Sequence, residues 1–137
     1  MNEQASTIGQ AKSIGQTKTT GQSKTEEKPR AVFLDALSLG PVDFSPLEEQ
    51  ARLTCWPSTQ PEHRLERLID AEIAITNKIR LDADLLQQLP KLPLVCTAST
   101  GTDQVDQAAC RDLGIGLPNA GRYSKASVVQ VTWALIL

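Results

Sequence analysis

The residues with the clearest chemical potential are the hydroxyl-rich run Ser99-Thr-Gly-Thr102, which follows the apolar stretch Leu94-Val-Cys-Thr-Ala98 and leads into Asp103-Gln-Val-Asp106. An apolar run, a loop and a helix start in that order describe a buried strand whose carboxyl end opens into a loop. A glycine in such a loop lets a ligand approach the main chain, and the flanking N–H and hydroxyl groups suit a carboxylate or a phosphate. A glycine after a strand also makes a plain turn, and one residue does not separate the two readings.

Other chemistries find less support. Neither a Walker loop nor a G-x-G-x-x-G run occurs in the 137 residues. The only histidine, His63, lies in the charged stretch Glu62-His-Arg-Leu-Glu-Arg67 and reads as a solvated helix residue, which argues against a Ser/His/Asp hydrolase. Thr76-Asn77 ends an apolar run where a phospho-acceptor domain would want an aspartate. Cys55, Cys96 and Cys110 are odd in number, widely spaced and without a C-x-x-C. They read as reduced, mostly buried thiols of a cytoplasmic protein, with no metal site. The 14 basic and 16 acidic residues give a net charge of −2, so nothing attracts nucleic acid. No apolar run nears the ~20 residues of a membrane helix, and the N-terminus lacks a secretory signal's apolar segment.

The elements that must position the loop alternate from residue 30 onward. Apolar runs predict strands over residues 30–35, 52–56, 72–77 and 92–98, with a brief fifth over 115–118. Between them, residues 44–51 read as a helix with Ser45 as N-cap and Pro46 at its first position. Residues 61–70 place Leu65, Leu68 and Ile69 on one helical face. Asp82 and Asp106 begin two further helices, one stopped by Pro90 and the other closed by Gly114. Five strands alternating with helices predict an α/β fold with an open, mostly parallel five-stranded sheet and flanking helices. Ligands of such sheets bind at the carboxyl ends of the strands, where Asp35, Asn77, Ser99–Gly101 and Asn119 all fall.

The two ends of the chain differ from this body. Gly9-Gln-Ala-Lys-Ser-Ile14, Gly15-Gln-Thr-Lys-Thr-Thr20 and Gly21-Gln-Ser-Lys-Thr-Glu26 share a G-Q-x-K-x-x pattern with a period of six, so residues 1–29 are expected to form a disordered low-complexity tail. Ser124-Lys-Ala-Ser-Val-Val-Gln-Val-Thr-Trp-Ala-Leu-Ile-Leu137 is apolar at nearly every position after Ser127. A helix apolar all round is expected to be buried on all sides. The chain stops before supplying a cover, which suggests a fold incomplete at the C-terminus.

Together, Ala98-Ser-Thr-Gly-Thr-Asp-Gln-Val-Asp-Gln-Ala-Ala109, Leu113-Gly-Ile115, Asn119 and Tyr123-Ser-Lys-Ala-Ser-Val128 resemble the N-terminal catalytic (substrate) domain of the D-isomer-specific 2-hydroxyacid dehydrogenases. Ala31-Val-Phe-Leu-Asp35 and Ala74-Ile-Thr-Asn-Lys78 are most similar to its glycerate dehydrogenase (hydroxypyruvate reductase) branch. The resemblance covers residues 30–137 and implies a partial, flavodoxin-like substrate domain. It implies hydride transfer between NAD or NADP and a small 2-keto or 2-hydroxy acid, in proteins that are typically homodimers.

Carried over by position, the backbone of Ser99, Thr100 and Gly101 would hold the substrate carboxylate. Thr100 would also face the cofactor, Lys78 would lie beside the cleft, and Asn119 would fix the hinge region. Asp106 reads as a helix cap and not as a ligand contact.

The family's dinucleotide loop, its substrate arginine and its Glu–His acid/base pair have no counterpart within the 137 residues. The glycerate branch also has a histidine where Val131 stands, Val129 replaces a smaller residue, and Pro118 removes a ladder donor from the fifth strand. The expectation is therefore a dehydrogenase fragment with no catalytic residue of its own, inactive and not binding the cofactor alone. The alternative is a non-catalytic module that binds a small carboxylate or a protein partner.

Overall fold

A computed structural model describes residues 27–121 and 123–136. The G-Q-x-K-x-x repeats lie outside the described residues. Residues 27–29 of the expected tail are docked: Arg52 Nε donates to Lys28 O at 3.0 Å, and Lys28 Nζ donates to Glu48 O at 3.1 Å.

Four parallel strands form the sheet: β1 (Arg30–Phe33), β2 (Arg52–Cys55), β3 (Ile73–Thr76) and β4 (Leu94–Thr97), in the order β2-β1-β3-β4. The helices are α1 (Ser45–Glu48), α2 (Arg64–Leu68), α3 (Ala83–Gln87), α4 (Gln107–Leu113) and α5 (Lys125–Ile136). The strand order reverses between β1 and β3, where the chain turns from one edge of the sheet to the other. Leu34, Ala74, Val95, Leu68, Leu81 and Leu86, from the sheet and the segments packed on it, are at most 1% exposed and mark the middle of the core.

The expected fifth strand is present only as paired backbone. Gly116 N donates to Pro93 O, Val95 N to Gly116 O and Thr97 N to Pro118 O, all at 2.9–3.0 Å. The next rung would need an N–H from residue 118, and Pro118 has none. The segment therefore lies beside β4 as isolated bridges, Leu94 opposite Gly116 and Thr97 opposite Asn119, and not as a continuous strand.

Three local expectations need correction. Ser45 is the first residue of α1 and not its cap; Phe44 takes the cap position, while Asp43 Oδ1 accepts from Ser45 N at 2.9 Å. The residue 61–70 helix is shorter, a tight turn at Pro61–His63 followed by α2, and Ile69 is 44% exposed because α2 has ended. The last helix forms but has no buried residue among those described: Trp133 is 58% and Leu135 83% exposed. No described element packs onto it.

The caps of α3 and α4 fall where the sequence places them. Asp82 Oδ1 accepts from Leu85 N at 3.1 Å, and Asp106 Oδ1 accepts from Ala109 N at 2.9 Å. Gly114 closes α4 with a left-handed φ of 70°. Replacing Asp106 with Ala should cost about 1 kcal/mol in urea denaturation, whereas Asp106→Asn, another good cap, should retain most of the stability. Equal losses for both would show that the charge matters beyond the cap.

Candidate functional site

The loop beyond β4 is held by its carbonyl groups. Ser99 O accepts from Ala120 N at 3.0 Å, Thr100 O from Asn119 Nδ2 at 2.6 Å, and Gly101 O from Ser99 Oγ at 2.9 Å. Gln104 Nε2 braces Ser99 Oγ at 3.2 Å. All three carbonyls are thus occupied, while the N–H groups of Ser99, Thr100 and Gly101 donate to no described residue. Thr100 and Gly101 are exposed and Ser99 is half-buried. A run of unpaired N–H groups at a sheet edge can donate to a small anion.

Gly101 separates the two readings of this loop. The described glycines in the left-handed region are Gly40, Gly114 and Gly121, and Gly101 is not among them. A Cβ built on it would meet only Asp103 Oδ2 at 3.5 Å, an ordinary van der Waals distance. Nothing in the fold therefore requires a residue without a side chain there, whereas a ligand lying against the main chain would.

Lys78 lies two residues past Thr76, and Ser99 two residues past Thr97, and Thr76 and Thr97 are register partners on neighbouring strands. The four expected site residues thus share one carboxyl edge, on adjacent loops. Asn119 sits at the end of the next segment: its Nδ2 holds Thr100 O, and its Oδ1 accepts from Gly121 N at 3.2 Å. Asp106 is occupied as a cap, as the sequence suggests.

One structural role at this edge has no local signature in the sequence. Asp35, 4% exposed, accepts from Asn77 N at 2.9 Å and Lys78 N at 2.7 Å. The only hint in the sequence is an acid ending an apolar run. On the opposite side of β1, Arg67 stacks on the Trp56 ring at 3.8 Å and donates to Ser58 O and Thr59 Oγ1.

The cysteines have no local feature that would favour a thiolate. All three are unpaired, and burial pushes each thiol above its ordinary range, with Glu48 adding to the shift at Cys55 and Asp106 at Cys110. Cys110 is buried, Cys96 half-buried and Cys55 exposed. His63 is half-exposed, with Nδ1 3.6 Å from Glu66. Among the described residues no cluster could hold a metal ion, and no helix is long and apolar enough to cross a membrane.

A parallel α/β sheet with a loop of unpaired main-chain donors at its carboxyl edge fits many ligand-binding domains, and comparison with known proteins narrows the class. The sequence profile of the D-isomer specific 2-hydroxyacid dehydrogenase catalytic domain matches residues 31–134, and the chain belongs to that family. It is 43% identical over 104 residues to a glycerate dehydrogenase of Methylorubrum extorquens, covering 74% of this chain and 32% of that protein. It is 32% identical over 112 residues to a glyoxylate reductase of Aeropyrum pernix, covering 79% and 31%.

Among solved structures, D-lactate dehydrogenase of Aquifex aeolicus, complexed with NAD and lactic acid, superposes with a TM-score of 0.65 at 26% identity, over 78% of this chain and 32% of that one. The D-mandelate dehydrogenase of Rhodotorula graminis gives 0.64 at 19% identity over 80% and 36%, a likeness of fold. The chain spans about a quarter to a third of the length of the curated relatives it matches.

If Gly101 is not needed for the turn, Gly101→Ala should fold normally and gain up to about 1 kcal/mol in urea denaturation, by restricting the unfolded chain. A loss of 2 kcal/mol or more would mean that the fold itself requires the glycine.

Proposed function

We propose that this chain forms the substrate-carboxylate side of an NAD(P)-dependent 2-hydroxyacid dehydrogenase of the glycerate/hydroxypyruvate type. The observation that carries the reading is the Ser99–Gly101 loop, whose carbonyls are all bonded and whose N–H groups have no partner among the described residues, beside a glycine the fold does not demand. In this reading the loop's N–H groups and Thr100 hold the carboxylate and so fix the orientation of the reacting C2. Lys78 adds a positive charge from the adjacent loop. The identity to the glycerate dehydrogenase supports the choice of a small, hydroxypyruvate-like acid.

The residues present do not make a dinucleotide site. No G-x-G-x-x-G occurs, and α3 and α4 already carry Asp82 and Asp106 at the N-termini where a pyrophosphate would be drawn. Hydride transfer also needs a proton source for the developing alkoxide, and the described edge offers no histidine. The chain by itself therefore binds and does not turn over. Its three unpaired cysteines support a reducing, cytoplasmic setting.

With hydroxypyruvate or glyoxylate and NADH, the purified chain should show no loss of absorbance at the nicotinamide band. Turnover approaching that of an intact dehydrogenase would sink the claim of an incomplete site. In ¹H–¹⁵N spectra, glyoxylate should shift the Ser99, Thr100 and Gly101 amides with a Kd of about 1 mM or weaker, as a few charge-assisted bonds allow. Gly101→Ala should remove that response while keeping the fold.

The exposed apolar length of α5 supports a second reading, in which the chain works through contact with further protein, including a second copy of itself. Light scattering should then find mass above the monomer, reduced by Trp133→Lys. A monomer at every concentration would dismiss self-association.

A further inference from the structure

The crevice where the strand order reverses, between the carboxyl ends of β1 and β3, is closed by the grip of Asp35 on Asn77 N and Lys78 N. The open donors of this edge lie one strand further on, in the Ser99–Gly101 loop. Their direction is set by the segment 118–121 beside that loop. Thr97 N donates to Pro118 O and Ala120 N to Ser99 O, both at 3.0 Å, while Asn119 Nδ2 donates to Thr100 O at 2.6 Å.

A trans peptide is planar, so its C=O and the N–H that follows point in opposite directions. No cis peptide occurs among the described residues. The bond from Ala120 N to Ser99 O therefore turns the Thr100 N–H away from the 118–121 segment. The bond from Asn119 Nδ2 to Thr100 O does the same for the Gly101 N–H. Two successive donors are thus held facing away from that segment, and neither has a partner among the described residues.

One of these two anchors is main chain and indifferent to residue type. The other is the side chain of Asn119, whose amide uses both ends. Oδ1 accepts from Gly121 N at 3.2 Å, which closes a turn and fixes the amide plane, and Nδ2 is thereby aimed at Thr100 O. Turning the amide over would set oxygen against Thr100 O and NH₂ against Gly121 N, so one orientation satisfies both contacts. Aspartate would supply no donor, and serine or threonine a single hydroxyl in place of a planar pair; the arrangement calls for a short carboxamide.

We infer that Asn119 is a positioning residue for the carboxylate cradle: by holding Thr100 O, it fixes the direction of the Gly101 N–H. This inference rests on the cradle reading of Ser99–Gly101. Asn119 acts through the main chain of the loop and needs no contact with the ligand.

Asn119→Ala in the whole chain tests it, with glyoxylate as the probe and amide shifts as the measure of Kd. Binding should weaken about tenfold, the loss of one well-aligned bond to a charged acceptor. Residual dipolar couplings of the ligand-free chain read N–H directions. The Gly101 coupling should change in the variant, while that of Thr100, anchored through Ala120 N, should match the wild type. Unchanged affinity overturns the inference. Weakened affinity with an unchanged Gly101 coupling also overturns it, because Asn119 would then act on the ligand directly. A change in both couplings overturns it in favour of general loosening of the loop. If the wild-type chain binds no glyoxylate at all, the cradle reading fails and takes this one with it. Wild-type binding that Asn119→Ala leaves intact sinks this inference alone.

Should Asn119→Ala not fold, the wild-type protein still decides. A scalar coupling across the hydrogen bond from Asn119 Nδ2 to the Thr100 carbonyl should be present without ligand and persist at saturating glyoxylate, while the Gly101 N–H moves downfield. Loss of that coupling on binding, or a Gly101 amide indifferent to glyoxylate, overturns the inference.

Discussion

The structure depends on the burial of a parallel sheet. β1, β3 and β4 run side by side in one direction, with Ala31, Ala74 and Val95 fully buried on them. Parallel strands need a crossover between each pair, and the crossovers cover the faces. What remains open is the edge where strands end and helices begin. Chemistry is thereby confined to the segments after residues 33, 55, 76 and 97, the last residues of the four strands. The loop at 99–101 and the Asp35 grip are two consequences of that one constraint.

Much of the fold is legible in the sequence because the signals are local. The apolar runs mark four strands, and the acid-start, glycine-stop punctuation of α4 is read directly. The interruption of the fifth strand is also written locally, in Pro118, since a missing N–H has the same effect in any register. The start of α1 is less legible. Asp43 and Ser45 are both capping residues, and the sequence does not say which of two adjacent oxygens the turn will use; the structure uses the Asp43 carboxylate, bonded to Ser45 N and Oγ. The apolar all-round pattern of α5 predicts a helix correctly, but no pattern within a helix specifies what covers it.

The site divides in the same way. Ser99, Thr100 and Gly101 stand out in the sequence because they follow the end of an apolar run, whereas Lys78 stands out only through the family resemblance. The meaning of Gly101 is not, because a turn glycine and a glycine that admits a ligand differ only in φ, which a sequence does not carry. Asp35 is further out of reach: its partners lie 42 and 43 residues away, and the contact exists only because β3 joins β1 on the side away from β2. The sequence shows an acid after an apolar run; only the strand order shows which crevice it closes.

The polar groups left open at this edge are defined by subtraction. A helix N-terminus carries roughly half a positive charge and would compete for any small acid. At α3 and α4 that competition is cancelled by Asp82 and Asp106, whose carboxylates accept the first free N–H groups. The bond from Leu85 N, reinforced by Arg64, holds Asp82 below the ordinary carboxylate range, so its cap is charged at neutral pH. The crevice between β1 and β3 is cancelled likewise by Asp35. Three inviting sites are thus occupied by the chain's own acids. Among the described residues, the N–H groups of Ser99–Gly101 keep no partner at this edge, two residues past the paired ends of β3 and β4. Those donors are few, adjacent and part of the main chain, so what this edge can offer is set by the backbone and not by a charged side chain.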